Sequence, residues 1–353
     1  MHGHAGPGAR QASHPDQDRP RSDHPLERHL TNALVRPTSI AEHPLHDRRY
    51  RLPTPPIEAL YTLITEALDR RRPGVMVYGR SRLGKTTAIA YIEALLSTER
   101  PALPVVTLGC RFKRVPSETA FFSSFLAAVR HKATGGRDAE QMRQRLIHRM
   151  CEMADTKASN QILLFADEAQ NLGACEYEWL RDVHDDLQRW GKTLLVVLVG
   201  QPELHGQKAT FQRSNSMHIV SRFMVHELAF RGARDAQDCA TCLQGYDLQE
   251  FPANSGWTHT RFFFPMGYAA GFRLASEGAA IWYAFDQAHR STLWPEAPEI
   301  GMEFFTAAVE HLMLNHSHQD AARFRPSNEL WAQAVQASGY VQATLSGMLS
   351  DAL

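Results

Sequence analysis

Between a short apolar run and a stretch of helical period lies Gly79-Arg80-Ser81-Arg82-Leu83-Gly84-Lys85-Thr86, which fits the spacing G-x-x-x-x-G-K-[ST] at every position. Such a loop can cradle a chain of phosphates. Its glycines let backbone N–H groups wrap the anion, and a helix beginning at Thr86-Thr87 adds its positive end. Lys85 is positioned to reach the β and γ phosphates, and the Thr86 hydroxyl to ligate Mg²⁺. The eight residues and Thr87 are therefore candidate nucleotide contacts, with ATP and Mg²⁺ the expected pair. A glycine-rich turn followed by a chance Lys-Thr is the plain alternative, and the flanking strand argues against it.

A second constellation follows the apolar run Ile162-Leu163-Leu164-Phe165-Ala166, which leads straight into Asp167-Glu168. Two adjacent carboxylates at the C-terminal end of a buried strand stand where open parallel sheets bind ligands. Asp167 is expected in the Mg²⁺ shell, and Glu168 to polarise an attacking water, which favours hydrolysis over phosphoryl transfer to a substrate. A further strand, Thr193 to Val199, ends in Gly200-Gln201-Pro202-Glu203-Leu204. The Gln201 amide there can reach the γ-phosphate or its water, or else cap the turn before Pro202.

The elements that must position these groups are legible as alternating periods. After Pro55-Pro56, the residues Ile57, Leu60, Tyr61, Ile64 and Leu68 recur at helical spacing. Short apolar runs at Gly74–Tyr78, Val105–Leu108, Ile162–Ala166, Leu194–Val199 and Val225–Phe230 read as strands separated by helical segments. That alternation predicts an α/β fold, a parallel sheet with helices on both faces. Beyond Phe230 the strand signals fade, and Ala269–Ala288 and Met302–Leu314 read as helices of a smaller domain. Leu248–Phe264 matches no clean period.

The composition narrows the class of function. The 353 residues are 22% charged and 43% hydrophobic, enough for packed cores, and Lys+Arg and Asp+Glu both total 38, so no global positive excess advertises a nucleic acid. Local counts differ. From Arg111 to Arg149 there are nine basic residues against three acidic, and from 150 to 210 ten acidic against five basic. Five cysteines at 110, 151, 175, 239 and 242 form an odd, dispersed set that fits a reducing cytosol, and Cys239-x-x-Cys242 has no second pair to make a zinc site. Residues 1–30 are rich in His, Pro, Arg and Asp and are expected to be a disordered tail rather than a metal site. With no signal-peptide core and no long apolar span, a soluble intracellular protein is the expectation. On the helix around Leu180, Val183, Leu187 and Trp190, ended by Gly191, the apolar face is expected in the core.

Taken in order, the loop at 79–86, Asp-Glu-Ala-Gln at 167–170, Gly-Gln-Pro-Glu-Leu at 200–204, and Ser221-Arg222-Phe223 before a last strand resemble AAA+ ATPases. More narrowly, FADEAQNL and VLVGQPEL look like the transposition regulators TniB and TnsC, and less like the ExeA secretion ATPase. The resemblance covers roughly residues 45 to 315. It implies an AAA+ P-loop domain with a small C-terminal helical lid: a tail at 1–30, the α/β domain at 31–232, the lid with an irregular insertion at 233–320, and a partner-binding segment at 321–353. It also implies that Arg222, or its rival Arg213, acts as an arginine finger in a neighbouring subunit, beside Glu168, Lys85 and Gln201 as catalytic groups. Gly271-Phe272-Arg273 is similar to the segment that supplies a lid arginine to the nucleotide in initiator-type relatives, although it departs from the commoner pattern.

By the same resemblance, Arg111, Lys113 and Arg114 would touch the backbone of double-stranded DNA without reading sequence. A solvated basic loop is the alternative. The implied assembly is a homo-oligomeric ring or helical filament in a bacterial cytoplasm, linking a TniQ-like targeting protein to a DDE transposase, with no membrane partner. An ExeA-like secretion factor, a replication initiator or loader, and a nucleotide switch that hardly turns over are the rival readings.

Overall fold

The structure, a computed structural model, describes residues 34–347; the tail at 1–30 lies outside them. Helix α1 (Pro55–Asp69) starts with two prolines, whose missing N–H groups cost nothing in a first turn, and buries Ile57, Leu60, Ile64 and Leu68 along one face. It delivers the chain to β1 (Gly74–Tyr78), followed by α2 (Lys85–Glu99), β2 (Val105–Gly109), α3 (Glu118–Ala128), α4 (Ala139–Thr156) and β3 (Gln161–Asp167). Then come α5 (Ala174–Arg189), β4 (Thr193–Gly200), α6 (Glu203–Arg213), α7 (Met217–Phe223) and β5 (His226–Ala229).

All pairings are parallel, in the order β2-β3-β4-β1-β5. The strands read as unbroken apolar runs because both faces are covered. On one face Ile162, Leu164 and Ala166 pack with Phe122, Met150 and Leu180. On the other, Leu163 and Phe165 share a core with Ile64 and Ile92. The register brings Gly109 beside Asp167, Asp167 beside Val199, and Gly200 beside Tyr78, so the C-terminal ends of four strands form one rim.

The second unit has its own core. Helices α8 (Ala236–Leu248), α9 (His259–Phe263), α10 (Pro265–Ala269), α11 (Gly278–Ser291), α12 (Met302–His316), α13 (Asn328–Ala337) and α14 (Tyr340–Leu345) build it. Its cluster also takes Leu45 and Leu52 from the segment before α1, so residues 34–53, assigned to the α/β domain on sequence, pack with the lid. The stretch after 320, set apart above, contributes Trp331, Val335 and Tyr340 to the same cluster. The chain thus crosses between the units twice, at Leu52–Thr54 and again at Phe230–Ala233. Gly232 is wedged there: a Cβ would stand 2.3 Å from the Ile300 carbonyl oxygen.

The helix expected over Ala269–Ala288 is broken: α10 ends at Ala269, Gly271 takes φ +93°, and a 3-10 turn at Leu274–Glu277 precedes α11. The unplaced stretch 248–264 is a short loop closed by a Glu250–Thr258 bridge, with a cis Phe251–Pro252 peptide, leading into α9, whose N–H at Arg261 donates to the Thr258 hydroxyl. Trp190 caps the end of α5 and is 58% exposed rather than in the core, while Leu180, Val183 and Leu187 are buried. Among the described residues, no helix is long and apolar enough to cross a membrane.

Candidate nucleotide site

The phosphate loop hangs from the rim. Gly79 N–H donates to Gly200 O at 3.2 Å, and a Cβ at Gly79 would lie 2.3 Å from the Phe230 carbonyl oxygen, so no side chain fits. Leu83 is buried and anchors the loop's centre. Gly84 closes the loop in a left-handed conformation, φ +94°, and α2 starts without a side-chain cap, leaving its first N–H groups facing the loop. Lys85 is buried, and its ammonium donates to Gly79 O at 2.6 Å and Arg80 O at 2.7 Å. A cation and the first-turn amides of a helix around one concavity make an anion site.

The two expected metal-side residues meet: Thr86 Oγ1 donates to Asp167 Oδ2 at 2.9 Å. Burial raises the Asp167 pKa, and the hydrogen bonds from Thr86 and from Glu168 N–H oppose that rise. A desolvated carboxylate beside a hydroxyl, at the edge of a phosphate cradle, suits Mg²⁺, which binds through one or two protein oxygens and keeps phosphate and water for the rest. The residues present therefore fit ATP and Mg²⁺.

Glu168 itself sits at φ +56°, an unusual conformation for a side-chain-bearing residue, at the head of a 3-10 turn. Its Oε2 accepts from Gln170 Nε2 at 2.5 Å and from Gln201 Nε2 at a longer 3.5 Å. Gln201 N–H in turn donates to Gln170 Oε1 at 3.1 Å, and Gln207 Nε2 donates to Gln170 O at 2.7 Å. The Glu168 carboxylate is thus held in an amide network that joins the ends of β3 and β4. Gln201 was expected there; the central place of Gln170 was not, although it stands within the Asp-Glu-Ala-Gln run.

A cavity of about 520 Å³ opens beside Gly84, Thr86 and Thr87, with Arg48, Tyr50, Arg51 and Ile57 on one side and Met302, Thr306 and Glu310 of the lid on the other. That size is within the range of small-ligand pockets. At its far wall, the buried Glu310 carboxylate accepts from Tyr50 O–H at 2.8 Å and Arg48 Nε at 3.0 Å. Burial raises the Glu310 pKa, while Tyr50 and Arg48 counter it. None of these residues carries a motif, so nothing in the sequence marked them.

Two loop arginines reach across to the lid. Arg80 pairs with Glu296 at 2.6 Å and Arg82 with Glu303 at 3.0 Å. The Arg80 guanidinium holds the Glu296 carboxyl below the usual carboxylate range. Arg273, expected at the nucleotide, lies elsewhere: its guanidinium stacks 3.5 Å from the Tyr268 ring and donates to the Tyr268 and Phe272 carbonyls. It is not among the residues lining the cavity. Arg222 is ion-paired with Asp185 on α5, and the exposed Arg213 donates to Ala209 O of its own helix at 3.3 Å. Neither lines the cavity of its own chain. Arg111, Lys113 and Arg114 lie together in the loop after β2.

The rim carries the loop at 79–86 and the paired Thr86 and Asp167, and the helical lid lines the other side of the same cavity. The fold is the AAA+ P-loop fold. Residues 60–207 match a family model described as an AAA domain. Among solved structures, the Aeropyrum pernix ORC2 protein, in its ADPNP-ADP complexes, aligns with a TM-score of 0.55 at 14% identity, covering 83% of this chain and 71% of that one. The Aeropyrum pernix ORC1 protein in complex with DNA gives 0.39 at 13% identity, over 83% and 82%. Drosophila ORC bound to AT-rich DNA and Cdc6 gives 0.40 at 11%, over 84% and 40%. No curated protein matches the sequence.

Proposed function

We propose that this protein is an AAA+ ATPase that binds ATP between the P-loop and the lid, acts on duplex DNA as an assembly of its own copies, and is reset by hydrolysis. The observation that carries the reading is the Thr86–Asp167 hydrogen bond at the mouth of the loop, with Glu168 one residue further on the rim. The likeness in fold to a protein solved with ADPNP and ADP agrees with it. Mg²⁺, held by Thr86 and Asp167, would offset charge on the phosphate oxygens. Lys85 leaves the loop carbonyls for the phosphates, and the α2 amides hold the β-phosphate. Glu168 takes a proton from the water that attacks the γ-phosphorus as the bond to ADP breaks, and Gln201 orients that water.

The basic loop supplies the DNA side of the proposal. Arg111, Lys113 and Arg114 would neutralise phosphates without sequence preference, so binding should fall steeply with salt. Two finer readings remain distinct. The fold likeness to the ORC2 protein supports a replication initiator or loader. The Asp-Glu-Ala-Gln and Gly-Gln-Pro-Glu-Leu segments support a transposition regulator with a TniQ-like protein and a DDE transposase as partners.

The test is ATP hydrolysis and duplex binding by the purified chain with ATP, with ADP and without nucleotide, at two salt concentrations. Wild-type protein should bind DNA with ATP and hydrolyse it, and Glu168→Gln should keep ATP and DNA binding while losing about a hundredfold or more in turnover. Unchanged turnover in Glu168→Gln would sink the hydrolytic assignment; absence of duplex binding in every nucleotide state would sink the DNA assignment.

A further inference from the structure

The loop at 111–116 combines exposed apolar side chains with cations that have no acidic partner among the described residues. Phe112 is 78% exposed and Val115 73%, and among the described residues no aromatic ring or cation stands against Phe112. Around them are Arg111, Lys113 and Arg114, none of which has an acidic partner at ion-pair distance among the described residues, whereas Arg80, Arg82, Arg143, Arg181 and Arg222 are all paired. Lys113 leans over the Phe121 ring at 5.8 Å, which leaves its ammonium against an aromatic face rather than a carboxylate. An apolar tip is costly to leave in water, and unpaired cations around it are complementary to an apolar slot lined by anions. A base step between two phosphate backbones has that chemistry.

The loop is also firmly rooted. Cys110 N–H donates to Asp167 O at 2.8 Å, Asn171 Nδ2 donates to Cys110 O at 3.0 Å, and Pro116 precedes the Ser117 cap of α3. A tip carried on two short anchored arms can press into a partner without collapsing onto its own surface. We propose that Phe112, backed by Val115, is a wedge that inserts between base steps of duplex DNA while Arg111, Lys113 and Arg114 hold the flanking phosphates. Such wedges partly unstack a step and bend the duplex. The inference rests on the DNA reading above and deepens it by assigning the loop an effect on DNA shape.

The experiment uses the full chain with ATP and a duplex carrying 2-aminopurine at successive positions, together with end-labelled duplexes that report bending by energy transfer. Wild-type protein should raise the 2-aminopurine signal and shorten the end-to-end distance. Phe112→Ala should abolish both and weaken binding by roughly fivefold to a hundredfold, the range for loss of one base–aromatic contact. Phe112→Leu should retain most of the bending, since leucine also serves as a wedge. Arg111→Ala with Arg114→Ala should instead lower affinity and flatten its salt dependence. Circular dichroism melting of each variant checks that the fold is intact.

Phe112→Ala that binds and bends as wild type overturns the wedge while leaving the DNA reading standing. Loss of self-assembly in Phe112→Ala without DNA also overturns it, by assigning the tip to a contact between copies. If wild-type protein fails to bind any duplex, the DNA reading falls and the wedge with it.

Discussion

Arg222 at the end of α7 donates to the Asp185 carboxylate on α5, and His184 Nδ1 stands 3.6 Å from the same carboxylate. The pair is partly exposed and lies within one protomer, so an arginine that is to act on a neighbour's nucleotide must first leave Asp185. Asp185→Asn should loosen that hold and raise hydrolysis at protein concentrations where assembly limits the rate. Arg222→Ala should lower hydrolysis by on the order of a thousandfold if it acts in trans. Mixing Arg222→Ala with Glu168→Gln then restores activity, because one partner brings the intact carboxylate and the other the arginine. Should Arg213→Ala, and not Arg222→Ala, show this complementation, the roles of the two arginines are exchanged.

The Gln170 amide engages the Glu168 carboxylate and so competes with a water for it. We expect Gln170→Ala to raise basal hydrolysis about twofold to tenfold, the worth of one net hydrogen bond, and to reduce any stimulation by DNA. Steady-state turnover with and without duplex measures both. A fall in basal turnover would mean that Gln170 positions the carboxylate for the reaction instead of restraining it.

The lid carries a buried histidine pair, His43 and His259, with ring nitrogens 3.1 Å apart. Burial, and then His259 and His46, lower the His43 pKa to about 3, and burial lowers that of His259 to about 4. Both rings are neutral in the folded chain and titrate near 6.5 when it unfolds, so the unfolded state binds more protons at acid pH. Stability should therefore be lost as pH falls from about 6.5 towards 4. The raised carboxyls of Glu277 and Glu310 act with the opposite sign, near and above pH 4.5. Comparison with a variant separates the pair from the other groups: in urea unfolding from pH 7 to pH 5, the wild-type slope should exceed that of His259→Asn. Equal slopes would show that the pair does not titrate on unfolding.

The pairs Arg80–Glu296 and Arg82–Glu303 tie the phosphate loop to the lid. ATP brings phosphates that compete with both glutamates for the arginines. Glu296→Gln with Glu303→Gln should speed ADP release severalfold, read with a fluorescent ADP analogue in stopped flow. The exposed pairs are weak individually, so the effect on thermal stability should stay small. An unchanged release rate would make these pairs surface decoration.

The features open to sequence reading were those whose spacing is local. The loop at 79–86 and Asp167-Glu168 are fixed by a few consecutive residues on strand ends, and β1 keeps the expected bounds Gly74–Tyr78, with Pro73 before it and Gly79 after it. The stretch 248–264 was unreadable because its helix is five residues long and Phe262, Phe263 and Phe264 are all buried, which leaves no amphipathic period. Arg80–Glu296 joins residues 216 positions apart, and Tyr50–Glu310 residues 260 apart. No pattern along the chain encodes such meetings. Trp190 followed the apolar period of α5 but falls one residue past its end, where the helix no longer faces the sheet.

The double crossing between the two units, at Leu52–Thr54 and at Phe230–Ala233, hangs the lid like a door on two hinges. A lid so attached is expected to swing about the line through both hinges rather than slide. Because one hinge is entered from the residues before Leu52, a partner that tugs on that side of the chain moves the same panel that carries Tyr50 and Glu310. Mechanical load applied before Leu52 would then be felt as a change in how long a nucleotide at the loop stays bound.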